Sequence, residues 1–321
     1  MRNYALRRLL ISIPLLVLMT FVTFMFIQGA PGDYIDNLKL DPQISKDTLQ
    51  QYQERFHLDK PVLTQYFYWL KNVMALDLGE SFSYKTKVTK VISSRVFNTL
   101  ILSVSAIALG WLISIPLGVL CALKKDRTLD RIISLANYTG ISMPGFFLAL
   151  LLIYLGSRIP GIPLGGMRSA DYEQLGFIAG LFDVLKHMII PVMVLALGMI
   201  SSLVRVVRAN MIDILNKQYI IAVKARGLPV NRILFVHALR NALNPMITIF
   251  GYQFSSILSG AALVEIVCAW PGLGTVMLQA VRAQDIYLVM GSMLISGVML
   301  IIGNLIADLL LAAADPRISV R

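Results

Sequence analysis

Residues 97–123 read FNTLILSVSAIALGWLISIPLGVLCAL, 27 residues without one Asp, Glu, Lys or Arg. A helix needs about 20 predominantly apolar residues to cross the hydrocarbon core of a bilayer, so this stretch is read as a membrane span. Five more lie outward from it, at about 9–29, 132–157, 188–204, 241–264 and 286–307, each free of charge between its ends. The first is longer than the apolar part of a cleavable signal and no small-residue cleavage site follows it, so it is read as a retained span. Pro14, Pro116 and Pro144 fall inside spans, which membrane helices tolerate where neighbouring groups satisfy the freed carbonyls. The expected fold is all-α, a polytopic membrane protein of six transmembrane helices.

Composition agrees. Of 321 residues 57% are hydrophobic and 15% charged, against roughly 25% charged in a soluble domain. Cys121 and Cys268 are too few for a disulfide framework. The net charge of +11 would point to nucleic acid in a soluble protein. Here it is a topology signal, and nucleic acid is not an expected partner. With the N-terminus in the cytosol, the inside segments carry 3, 4, 7 and 2 Lys and Arg and the outside segments 9, 3 and 1. Acidic residues divide 5 inside and 13 outside, so the outside is neutral and the whole excess faces the cytosol. Both termini are expected in the cytosol.

Three segments outside the spans carry pattern. Residues 30–96 are too long for a simple connector. Ser45 and Asp47 are N-cap candidates for a helix near Lys46–Phe56, and Pro61 opens a second, Pro61–Leu76, with Val62, Tyr66, Trp69, Leu70 and Val73 at helical spacing. This is either a docking subdomain, with Tyr66 and Trp69 as its contacts, or a spacer packed on the span ends. Residues 262–274 read Ala-Leu-Val-Glu-Ile-Val-Cys-Ala-Trp-Pro-Gly-Leu-Gly. They are too apolar for an ordinary loop and too broken by Pro271, Gly272 and Gly274 for a span. They suit a re-entrant turn near the mouth of a pathway or a tight surface turn. Residues 205–240 are basic yet patterned, with Met211, Ile212, Ile214, Leu215, Tyr219, Ile220 and Val223 at helical spacing. Gly227 follows a basic last turn (Lys224, Arg226) as a C-cap, and Pro229 stops continuation. A rigid knob projecting into the cytosol and a basic helix lying on anionic lipid both fit.

At this point the chain resembles the permease subunits of binding-protein-dependent ABC importers, in the dipeptide and oligopeptide branch. The resemblance runs along nearly the whole chain: Leu6-Arg-Arg-Leu-Leu10, Gly29-Ala-Pro-Gly-Asp33, Leu58-Asp-Lys-Pro61, Asp77-Leu-Gly-Glu-Ser-Phe82, Asn98-Thr-Leu100, Ile115-Pro-Leu-Gly118, Ser142-Met-Pro144, Trp270-Pro-Gly-Leu-Gly274 and Asp315-Pro-Arg317. It implies a type I ABC importer permease fold. Residues 1–29 would be the cytosolic N-terminus and first span, 30–96 an extracytoplasmic subdomain, and 97–321 a five-helix core with a coupling helix at about 211–229. The knob would dock on an ATPase subunit through Tyr219, Ala222, Lys224, Arg226 and Gly227. Trp270, Pro271, Gly272 and Gly274 would form an outer gate. The general family pattern Glu-Ala-Ala, three residues, Gly meets Ile221, Ala222, Val223 and Gly227, so its acidic residue is absent. The implied partners are a second, homologous permease, two ATPase subunits and an extracytoplasmic binding protein, in a bacterial inner membrane. The implied substrate is a short peptide. Nickel and metal-chelate permeases share these motifs.

Other chemistries find no support. No Gly-x-x-x-x-Gly-Lys-Ser/Thr occurs, so ATP and Mg belong to the partner ATPases and no cofactor is expected on this chain. No enzyme motif occurs, no catalytic residue is assigned, and His57, His187 and His237 lie in separate segments, so no metal site is expected. Spans without carboxylates count against an ion-coupled secondary transporter. Fifteen methionines either line an adaptable cavity or pack helices in the ordinary way.

Overall fold

A computed structural model describes residues 2–30, 32, 49, 53, 59–243, 246, 249–250, 253 and 261–314. The elements are α1 (Arg2–Gln28), α2 (Val62–Met74), a hairpin of β1 (Glu80–Ser81) and β2 (Thr86–Lys87), α3 (Val88–Leu123), α4 (Thr128–Ser142), α5 (Gly145–Gly156), α6 (Phe177–Leu215), α7 (Gln218–Ala225), α8 (Leu273–Arg282) and α9 (Ile286–Ala314). The two-residue antiparallel hairpin, pairing Glu80 with Lys87 and Ser81 with Thr86, is a small departure from the all-α expectation.

Charge-free stretches mark where helices cross but not where they end. The read spans 97–123 and 188–204 sit inside α3, of 36 residues, and α6, of 39. At 1.5 Å per residue these run about 54 and 58 Å, well beyond a core of roughly 30 Å. Among the described residues four helices are long and apolar enough to span: Arg7–Gln28, Val88–Leu123, Phe177–Leu215 and Ile286–Ile306. The stretch 132–157 is no straight span. α4 and α5 meet at an angle of 109° and make a fifth crossing only if the bent pair counts as one. The cause is Pro144, whose ring disfavours helical backbone in the residue before it. Met143 accordingly sits at φ −90°, ψ 126°. Pro14, Pro116 and Pro191 stay inside their helices. The fifth expected span, 241–264, lies largely outside the described residues, as does the helix expected near Lys46–Phe56.

The chain divides into two compact units. One holds residues 1–4, 99–270 and 302–321. Its centre is α6, which packs on both α4 and α5. Leu203, Val207 and Met211 of α6 are buried with Ile107 and Ala122 of α3. Gly118 lets these two helices approach. A Cβ built there would lie 2.6 Å from Val207 Cβ, and small residues set such contacts in membranes. Gly118→Ala is expected to cost about 1–3 kcal/mol by overpacking. Val207→Ala in the same chain should recover part of that loss, read as non-additivity in thermal denaturation of the purified protein. The other unit holds residues 5–98 and 271–301. There Phe24, Tyr66, Trp69, Phe82, Ile286 and Met290 form one buried cluster joining α1, α2, the hairpin and α9.

Candidate functional site

The knob after α6 is built in three steps. α6 ends at Leu215, and Lys217 turns to extended backbone at φ −72°, ψ 146° before α7 begins. The helical pattern read over 211–229 is therefore two helices, with Met211–Leu215 closing α6 and Gln218–Ala225 forming α7. Ile220 is the fully buried anchor of α7 and shares a core with Met211, Ile214 and Ile233. The cap comes last. The Arg226 N–H donates to the Ala222 carbonyl at 3.1 Å and the Gly227 N–H to that of Lys224 at 3.0 Å. Gly227 itself adopts φ +77°. Pro229 then opens the returning helix, which is π-helical over Ile233–Leu239. Asn241 Nδ2 of the return donates to Tyr219 Oη at 3.2 Å. Tyr219, Ala222, Lys224, Arg226 and Gly227 are all exposed. Ile221 is exposed as well. Tyr219 and Ala222, three residues apart, share one face of α7, from which Lys224 is turned away.

An ion pair braces this region. Arg208 Nε donates to Asp130 Oδ1 at 2.7 Å and Nη2 to Oδ2 at 2.6 Å, joining α6 to the first turn of α4. The Asp126 N–H adds a bond to Oδ2 at 2.9 Å, and Asp130 is buried. Sequence reading counted both residues as topology charge, since 78 positions separate them and no local pattern joins them. Asp130→Asn is expected to lower stability by about 1.5–3 kcal/mol, the range for a charge-assisted hydrogen bond. The check is the thermal midpoint of the purified protein against Asp213→Asn, a change at an exposed carboxylate.

The residues expected as a gate fall on both sides of the boundary between units. In the first unit a helix over 261–267 ends in a turn where Ala269 takes φ +50°. The Trp270 N–H donates to the Glu265 carbonyl at 2.7 Å, and the Trp270 side chain is buried with Leu102, Ala106, Met188 and Val192. The Glu265 carboxylate is also buried and accepts from Thr99 Oγ1 at 2.6 Å. In the second unit the Pro271 carbonyl accepts from Asn98 Nδ2 at 2.8 Å. Gly272 precedes α8, and Gly274 lies in its first turn. The broken apolar stretch is thus a helix, a turn and a second helix. The sequence alone does not pair Glu265 with Thr99, 166 positions away. The signal was one acid inside an otherwise apolar run. A cavity of about 250 Å³ opens between α3 and α6, lined by Ser105, Leu109, Met188, Val192 and Met193 among others.

Tyr66 and Trp69 need correction. Both are 2% exposed and belong to the seam that holds α2 on α1 and α9. Tyr66 packs edge-on to Phe21 with ring centres 5.2 Å apart. Residues at helical spacing mark the face a helix buries, so this pattern located the packing side of α2 rather than its open side.

The sequence profile described as binding-protein-dependent transport system inner membrane component matches residues 114–320, and the companion profile for the N-terminal part of such components matches 1–103. The chain belongs to this family. It is 39% identical over 320 residues to the oligopeptide transport system permease protein AppB of Bacillus subtilis (strain 168), covering 99% of each chain. It is 34% identical over 335 residues to the dipeptide transport system permease protein DppB of Escherichia coli (strain K12), again covering 99% of each. Among solved structures, a chain of the inward-facing MetNI methionine ABC transporter superposes with TM-score 0.52 at 19% identity, covering 69% of this chain and 97% of that one. That likeness carries the expected type I ABC importer permease fold. As an inner membrane component of this family, the chain is a multi-pass translocating subunit rather than an enzyme, and it works with a binding protein and an ATPase.

Proposed function

We propose that this chain and a second, homologous permease form the pathway through which an ATP-driven importer takes up short peptides. The observation that carries the coupling role is the α7 knob, whose five candidate residues stand exposed while Ile220 roots it in the core of α6. Two ATPase subunits, which hold the ATP and Mg, close on nucleotide and push on Tyr219, Ala222, Lys224, Arg226 and Gly227. Because α6 is one helix from Phe177 to Leu215, the push reaches the Met188–Met193 wall of the cavity as a rigid-body movement. The Trp270–Gly274 turn gates the far mouth. Both termini and α7 lie in the cytosol, while residues 30–96 face outward and receive the binding protein. The peptide reading rests on the relatives named oligopeptide and dipeptide permeases.

The test is uptake by the complex reconstituted with its ATPase, partner permease and binding protein, offered labelled dipeptides, longer peptides and nickel chelates. ATP-dependent uptake of peptides is the expected result. Uptake of chelates alone would replace the substrate class, and uptake driven by an ion gradient without ATP would remove the coupling role of α7.

A further inference from the structure

α2 has three faces. The seam of Tyr66, Trp69 and half-buried Val73 packs inside its unit. One flank is apolar and open: Leu63, Phe67 and Met74 are 54%, 64% and 75% exposed, with half-buried Leu70 between them. The opposite flank carries Thr64, Tyr68, Lys71 and Asn72. A helix with one apolar and one polar flank is suited to lie in a membrane interface.

The depth of α2 comes from its bonds to α1. Tyr66 Oη donates to the Val17 carbonyl at 2.9 Å and lies 3.1 Å from Thr20 Oγ1. Val17 is near the midpoint of the apolar span Arg7–Gln28, about 16 Å from the Gln28 end at 1.5 Å per residue. Gln28 Nε2 donates to Gln65 Oε1 at 3.0 Å. Consecutive residues of α2 are therefore tied to the end and to the middle of the α1 span. Around Gln65 and Tyr66, α2 lies alongside the stretch of α1 between Val17 and Gln28, within its apolar length. Over that length α1 exposes Leu18, Val22 and Phe26, a surface continuous in character with the open flank of α2.

We infer that α2 is an in-plane interfacial helix whose Leu63, Phe67 and Met74 flank is covered by lipid acyl chains of the leaflet at the Gln28 end of α1. In the orientation proposed above this is the outer leaflet. Lys71 and Tyr68 on the other flank reach the headgroups and water, as long amphipathic side chains do at membrane surfaces. Any binding protein that touches α2 then meets Thr64, Tyr68, Lys71 and Asn72, while the apolar flank is closed to it by lipid.

The test uses the full complex in phosphatidylethanolamine and phosphatidylglycerol vesicles. A nitroxide is placed at L63C, F67C, Y68C or K71C, with the parent chain as the blank because Cys121 and Cys268 are buried. Relaxation by oxygen, which concentrates among acyl chains, is compared with relaxation by a water-soluble nickel chelate. Oxygen should dominate several-fold at 63 and 67 and the chelate at 68 and 71. Chelate access at 63 and 67 equal to that at 71 would overturn the inference. So would shielding of 63 and 67 from both reagents, which would mean that protein covers the flank. Adding the chelate on one side only reports orientation separately, so a reversed topology would leave the depth result readable.

Discussion

Gly227→Val should reduce uptake roughly tenfold or more while the complex still assembles and hydrolyses ATP. The reason is conformational rather than steric. Gly227 stands at φ +77° with nothing within 4 Å of where a Cβ would be, so a larger side chain meets no clash. It meets the left-handed backbone, which costs an L-residue about 1–2 kcal/mol and a β-branched one more. α7 has eight residues, too few to hold a helix unaided. It depends on Ile220 at its root and on the cap formed by Arg226 and Gly227. Relief of the strain that valine introduces would unwind that cap and move Lys224 and Arg226, which stand on the proposed ATPase contact. Gly227→Asn separates this cause from others, since asparagine reaches the left-handed region by local hydrogen bonding. It should retain most uptake. Uptake and ATPase activity measured together on co-purified complexes give the ratio that matters. Wild-type uptake by the valine variant would remove α7 from coupling.

The residues that sequence reading located well are those whose meaning is local. A run without charge is a span because each residue alone prefers lipid, and Gly227 and Pro229 mark a stop because each acts on its own backbone. The seam of α2 was visible as period 3.6, although its role was assigned to the wrong side of the helix. What remained hidden depends on partners far along the chain. Asp130 and Arg208 are 78 positions apart, and Glu265 meets Thr99 across 166. Helix ends were hidden for a related reason. α6 continues from its apolar centre through Arg205 and Arg208 because helix propensity does not change where hydropathy does. Pro144 shows the converse. The same residue type stays within α1 and α3 yet ends α4, and only the backbone geometry of Met143 separates the cases.

Asp285→Ala should destabilise the second unit by about 3 kcal/mol, the larger part from donors left without water or partner. Asp285 is fully buried, and three donors share its carboxylate. Ser81 Oγ donates to Oδ2 at 2.6 Å and the Ser83 N–H to the same oxygen at 2.9 Å. The Leu288 N–H donates to Oδ1 at 3.1 Å. The last bond is an N-cap on α9, a position where loss of the side chain alone costs about 0.5–2 kcal/mol. The other two fasten the β1–β2 hairpin to the start of that helix. These contributions share one side chain and will not add in full. Asp285→Asn keeps an oxygen for the cap and loses one acceptor at the hairpin, so its cost should be smaller. Ser81→Ala removes the donor to Oδ2 and the acceptor of the part-buried Tyr84 N–H at 3.1 Å but leaves the carboxylate and its other two bonds in place, so its cost should be smaller still. The readout is protease cleavage within 80–87 together with the thermal midpoint of the purified complex. From most to least damaged, the expected order is Asp285→Ala, Asp285→Asn, then Ser81→Ala. Equal stability of all three would show that the carboxylate does not hold the hairpin. The Gly227 variants should leave both readouts unchanged, since the knob and the hairpin belong to different compact units. A chain that loses uptake through Gly227 is folded and uncoupled, whereas one that loses it through Asp285 has lost the bonds that hold the β1–β2 hairpin on α9.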